Sequence, residues 1–184
     1  MVRLPLVTFI IISFAATAPA IAQEPARTTT HQAADASTID AVDENFLHRA
    51  AVGGLAEMSL GRLAASHATQ TDIKKFGATL SNERGKLNDR LLELAAQEGW
   101  ELPDDIDADH RAKIDAVANK DGLEFNAVFA DVVVESARTT VALFRETAQE
   151  SRAPAVREFA REALPMLERH LRMAQALKQE VAGR

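Results

Sequence analysis

From Thr38 onward, apolar residues recur in steps of three and four, the period of a helix packed along one face. No stretch alternates in twos, and hairpin turn signals are missing, so an all-α fold is expected. The last segment has the cleanest pattern: Val156, Ala160, Ala163, Leu167, His170, Ala174, Leu177 and Val181. It predicts a helix over 153–182, with Ser151 or Arg152 near the cap and Pro154 in the first turn. Pro165 lies inside this helix. Its missing N–H and its crowding of the Arg161 carbonyl predict a bend there.

The first helix is expected over 39–68. Ser37 or Thr38 would cap it, and Asp40 and Asp43 would sit at its positive end. Its seam reads Phe46, Ala50, Gly53, Glu57, Leu60, Ala64 and His67. The small residues at Gly53 and Gly54 suggest a close helix approach. A second helix is expected over 72–98, with Thr71 as cap and Gly99 as stop. Its apolar face is Ile73, Phe76, Leu80, Leu87, Leu91 and Leu94. The gap between Leu80 and Leu87 must be filled by Glu83 or Arg84, and the pattern does not say which. Pro103 and several aspartates make 100–122 a long connection, with a short helix over 107–118. The third long helix spans 123–150, with Phe125, Phe129, Val132, Val133, Val141 and Phe144 as its core. Four long helices, each on the order of 40 Å, make a four-helix bundle over 38–184 with a long helix 2–helix 3 connection.

The residues before the bundle change the compartment. Arg3, the apolar run from Leu4 to about Ala16 and the small residues of Ala20-Ile21-Ala22 form a secretory signal peptide over 1–22. The run is short for a membrane span, and an uncleaved anchor is the competing reading. Residues 23–37 are polar, small and without period, and are expected to be a disordered linker; His31 carries no weight there. The chain has 21 Lys and Arg against 27 Asp and Glu, which argues against a nucleic-acid partner. It has no cysteine, so disulfides, Fe–S clusters and thiolate metal sites are excluded.

Ionisable residues in apolar seams are the candidate chemistry. They are Glu57, His170 and one of Glu83 and Arg84. A di-iron site asks for Glu-x-x-His on two helices. Leu167 precedes His170 by three and Lys86 follows Glu83 by three, so neither pair exists. A core histidine bonded to a carboxylate or carbonyl is the simpler account of His170. Buried Glu57 needs an opposite charge or hydrogen bonds, and Arg84 or His170 could supply one. His48, His67 and His110 lie near helix ends or on polar faces. No P-loop, dinucleotide or serine-hydrolase pattern appears.

Four stretches, "FLHRAAVGGLAEMSLGRLA" (46–64), "IKKFGATLSNERGKLNDRLLELAAQEGWELP" (73–103), "FNAVFADVVVESARTTVALF" (125–144) and "VREFAREALPMLERHLRMAQAL" (156–177), occur in order and with similar spacing in a known bacterial exported family. Over 38–180 the chain resembles domain of unknown function 4142. The resemblance implies a ferritin-like bundle, often labelled an outer-membrane or secreted protein. Glu57 and His170 match that family's pattern. Glu83 and Arg84 stand where it commonly has Asp-His, and Ala137 where it commonly has a further His. Two donors of any metal site are therefore replaced.

The sequence expectation is an exported, periplasmic or envelope-associated bundle without enzymatic activity, with a structural, interaction or stress-related role. Its partner would be an unidentified protein or a second copy, with no membrane span left after cleavage. No catalytic residue, cofactor or metal is assigned. Glu57, Glu83, Arg84 and His170 are candidates for a buried polar cluster or a degenerate site. The alternatives are a ferritin-like protein binding a transition metal or small ligand, and an envelope protein anchored by an uncleaved N-terminus.

Overall fold

The computed structural model describes residues 39–183, and the predicted signal peptide and linker lie outside them. Five helices follow in order: α1 (Ala41–His67), α2 (Thr71–Glu98), α3 (Ala108–Ala118), α4 (Gly122–Glu150) and α5 (Pro154–Ala182). No described residue is in a strand. The expected helices stand, with ends shifted by a few residues at most. α5 runs unbroken through Pro165.

Two apolar clusters fill the bundle, and their membership gives the helix directions. The first takes Phe46 and Leu47 from the start of α1 and Leu87 and Leu91 from the end of α2. It adds Phe144 from the end of α4 and Phe159 from the start of α5. The second takes Leu60 and Ala64, Ile73 and Phe76, Phe125 and Phe129, and Ala174 and Leu177 from the opposite ends. α1 and α2 form one tight antiparallel hairpin, and α4 and α5 form another. The connection from 99 to 121 runs the length of the bundle. Trp100 and Leu102 pack on the first cluster, and Val117 is buried in the second. α3 lies against α1 and α4. One long crossover between two hairpins is the ferritin-like order of connections.

The ends differ from the sequence expectation in instructive ways. Asp40, not Ser37 or Thr38, caps α1, its Oδ1 accepting N–H bonds from Val42 at 3.0 Å and Asp43 at 2.9 Å. Gln70 holds the cap position of α2 without a side-chain cap bond, so Thr71 is the first helical residue. Asn126 of α4 binds the preceding Thr69, donating to its hydroxyl at 2.7 Å and accepting its backbone N–H at 3.2 Å. A tertiary clamp thus holds the α1–α2 turn. Gly99 ends α2 in the left-handed conformation, φ 73°, as expected. Ala153 holds the cap position of α5 without a side-chain cap bond, next to the Ser151 and Arg152 expected near it; Ser151 donates its hydroxyl to the Ala153 carbonyl.

Within the seams, Val132 is only partly buried, because α4 turns Val133 and Val134 inward. Gly53, Leu94 and Val181 are also partly buried. His67 is exposed and lays its ring 6.2 Å from that of Phe125. A Cβ at Gly53 would meet nothing. The close approach lies elsewhere: a Cβ at Gly61 or at Gly77 would come within 2.6 Å of the other's carbonyl oxygen, so α1 and α2 meet backbone to backbone. Gly54 makes room for Asn88 instead.

Candidate functional site

Each long helix carries polar residues in the interval between its contributions to the two clusters. α1 places Glu57 between Ala51 and Leu60, and α2 places Glu83 and Arg84 between Leu80 and Leu87. α4 places Ser136 and Thr140 between Val134 and Val141, and α5 places His170 between Leu167 and Ala174. The result is a polar waist across the middle of the bundle.

The waist contains two ion pairs, begun by neighbouring residues of α2. Arg84 turns inward. Its Nε lies 3.0 Å from Glu57 Oε2, with both side chains 2% exposed or less. The other carboxylate oxygen accepts hydrogen bonds from Ser136 Oγ at 2.9 Å and Thr140 Oγ1 at 2.8 Å. Glu57 therefore has a cation on one oxygen and two hydroxyl donors on the other, the compensation a buried carboxylate requires. The Arg84 contact is ionic and poorly aligned: neither Nε nor Nη1 has a hydrogen-bond partner among the described residues.

Glu83, one residue earlier, points to the rim and keeps 30% of its side chain exposed. Its Oε2 accepts from His170 Nε2 at 2.5 Å and from Arg169 Nη2 at 2.6 Å. His170 is 1% exposed and stands edge-on to Phe76, with ring centroids 6.3 Å apart. Its Nδ1 has no hydrogen-bond partner among the described residues. With Glu83 ionised, Nε2 carries the shared proton and neutral His170 leaves Nδ1 bare. Burial pushes the His170 pKa down. The hydrogen bond and charge of Glu83 push it up, the Glu57 carboxylate helps, Arg84 opposes, and the balance lies below the ordinary imidazole value. For Glu83, burial acts upward, but the bonds and charges of His170 and Arg169 outweigh it and hold the carboxyl below its ordinary value.

The structure thus brings all four candidate residues to the waist but divides them. Glu57 pairs with Arg84, while His170 pairs with Glu83 and feels the inner pair only through its charges. Ser136 and Thr140, which the sequence reading missed, complete the inner pair. Their one signal is a four-residue spacing in the same interval of α4. Among the other histidines, His48 is exposed and His110 is partly buried, bonded through Nδ1 to Asp107 at 2.7 Å.

A ferritin-like bundle raises the question of a metal, and the residues present do not fit one. A guanidinium occupies one side of Glu57 and two hydroxyls the other. Among the described residues, no three His, Asp or Glu side chains converge where a metal could be held.

The family described as "Domain of unknown function (DUF4142)" matches residues 27–177. The chain belongs to this family. The match begins within the stretch expected to be a linker. No curated protein matches the sequence. Two solved DUF305 structures are similar to it. A presumed secreted DUF305 protein from Streptomyces coelicolor is 11% identical, with TM-score 0.66, covering 77% of this chain and 92% of that one. A DUF305 fragment from Deinococcus radiodurans is 11% identical, with TM-score 0.68, covering 77% of this chain and 98% of that one. At this identity the likeness concerns the fold alone. No helix among the described residues is long and apolar enough to cross a membrane.

Proposed function

We propose that this DUF4142 chain is an exported bundle without enzymatic activity, acting through its surface in the cell envelope. The observation that carries the reading is the consumption of Glu57. In a helical bundle that binds a metal, a core carboxylate is a donor; here Arg84, Ser136 and Thr140 use both of its oxygens. The polar waist then serves to fix the register of the four helices. A polar group with its partners in only one arrangement penalises a slipped one. Support for export comes from the Ala20-Ile21-Ala22 pattern after an apolar run. A structural neighbour is also described as presumed secreted.

The test uses protein purified from the envelope fraction of its native cell, read by intact mass and metal content. The expected result is a chain beginning at Gln23 with no stoichiometric transition metal. Arg84→His, which restores the residue commonly found in the family, should weaken the inner pair and give Glu57 and His170 a third donor. A wild-type chain carrying zinc, iron or copper that is lost in both Glu57→Ala and His170→Ala would establish the metal-binding alternative. Recovery only as an intact, membrane-bound chain would establish the anchored one.

A further inference from the structure

Gly53 stands in the middle of α1 without a packing reason for being glycine. Its φ is not positive, and a Cβ there would meet nothing within 4 Å. Glycine inside a helix weakens that helix relative to alanine. At Gly61 and Gly77 a backbone contact offsets the loss, and at Gly54 the room made for Asn88 does, but no contact does so at Gly53. Beside it lies a cavity of about 160 Å³ between α1, α3 and α4, and Gly53 forms part of the wall. A larger side chain at this position would fill the space that the glycine leaves open.

The cavity is basic in an acidic chain of 27 Asp and Glu against 21 Lys and Arg. His48 and Arg49 come to it from α1, and His110 and Lys113 from α3. His48, Arg49 and Lys113 are exposed and have no hydrogen-bond or ion-pair partner among the described residues. Asp107 is the one acid in the described lining, and it is turned to its own helix. Its Oδ1 accepts the His110 backbone N–H at 2.8 Å and bonds His110 Nδ1 at 2.7 Å. These bonds, the backbone one first, hold its carboxyl below the ordinary value. The positive end of α3 adds to the potential here, and Asp107 offsets it in part. Ser136 and Thr140 also line the cavity, but their protons go to Glu57, whose charge Arg84 matches. The waist therefore adds neither a donor nor net charge. Thr139 brings a hydroxyl that no described residue engages.

We propose that this cavity binds a small phosphate-class oxyanion, held by the charges of Arg49 and Lys113 with hydrogen bonds from His48 and Thr139. A guanidinium can bind a phosphoryl group through two N–H donors, and an ammonium serves it as a point charge. A divalent anion matches both cations, a carboxylate matches one, and a cation would be repelled. The volume is well below the roughly 300–1,000 Å³ of a drug-sized site, which limits the guest to the free anion or a small monoester. Bound there, the anion ties α3, which buries only Val117, to the two long helices beside it. The inference does not rest on the proposed function of the bundle.

The protein isolated from its native cell is titrated by calorimetry at fixed pH and ionic strength with inorganic phosphate, glycerol 3-phosphate, sulfate and acetate. The phosphates and sulfate should bind saturably at one site, and acetate at least tenfold more weakly. Whichever of phosphate and glycerol 3-phosphate binds more tightly identifies the source of the anion. Gly53→Leu changes no charge, favours the helix and fills the cavity, and should weaken phosphate binding at least tenfold with helicity retained. Arg49→Gln and Lys113→Gln should each weaken it severalfold. Arg172→Gln removes the same charge from the α4–α5 surface outside the cavity and should leave affinity within twofold. Non-saturating heats, equal binding of acetate and phosphate, unchanged affinity in a helical Gly53→Leu chain, or equal losses in Arg172→Gln and Arg49→Gln would overturn the proposal.

Discussion

Glu83 and Arg84 are chain neighbours, yet each begins an ion pair of a different kind. The Arg84–Glu57 pair is fully buried, has two hydroxyl donors behind it, and is built on a guanidinium. The Glu83–His170 pair reaches the rim, shares its carboxylate with Arg169, and rests on a histidine that burial keeps neutral until the medium turns acid. One step along a helix rotates a side chain by roughly 100°, and that rotation separates a permanent internal lock from a contact that acid can alter. Charges taken fully out of water must be matched almost completely, whereas those at the rim can be matched in part.

The largest difference should appear on breaking each pair from its cationic side. Arg84→Ala leaves Glu57 buried with only two hydroxyls, and should cost about 3–5 kcal/mol. Chemical denaturation read by circular dichroism would measure this, and a loss below about 1 kcal/mol would mean that the pair adds little. Thr140→Val keeps the shape of the side chain but removes one donor to Glu57, and should cost about 1–3 kcal/mol. The same change at Thr139, which is exposed, serves as the control.

The smallest effect is the one that belongs to the rim pair alone. The folded-state pKa of His170 is depressed, so the unfolded chain binds its proton first as pH falls. Its contribution is complete above about pH 6.5 and is lost on acidification below that value. The depressed Glu83 pKa adds a second loss below about pH 4.3. Stability measured from pH 8 to pH 4 should therefore decline in His170-dependent fashion below neutrality. His170→Phe should flatten the upper part of that curve, while Arg84→Ala should lower it most at pH 8, where the buried Glu57 carboxylate has lost its cation. An identical slope in wild type and His170→Phe would remove the distinction between the pairs.

The helices were readable because their seams were. The four-three pattern of α5 places Leu167, His170 and Ala174 on its buried side, and all three are buried. The waist was half readable. Glu57 and His170 interrupt clean apolar stripes, but Glu83 and Arg84 both sit near the gap in α2, and periodicity alone cannot rank two adjacent residues about one missing position. Ser136 and Thr140 were not singled out, because their partner lies on another helix far away in sequence. The starts of α2 and α5 were hard to read for the same reason. Asn126 and Asp43 secure helix ends on other segments, so local signals at Thr71 and Ser151 pointed to bonds that tertiary contacts supply. Gly61 and Gly77 are unremarkable in sequence until their backbones meet.

The crossover also has a consequence for how the chain finds this arrangement. Most of the interhelical contact lies within the α1–α2 and α4–α5 hairpins, each closed by a short turn, and the 99–121 strap joins them. Contacts close in sequence form at low loop-closure cost, and distant ones bear the cost of the long loop. The Glu57–Arg84 pair belongs to the first hairpin and can assemble early. The bonds from Ser136, Thr140 and His170 bridge the two hairpins and can form only when these dock. The waist is thus assembled in two stages, its charge neutralised within one half and its alignment checked by the other.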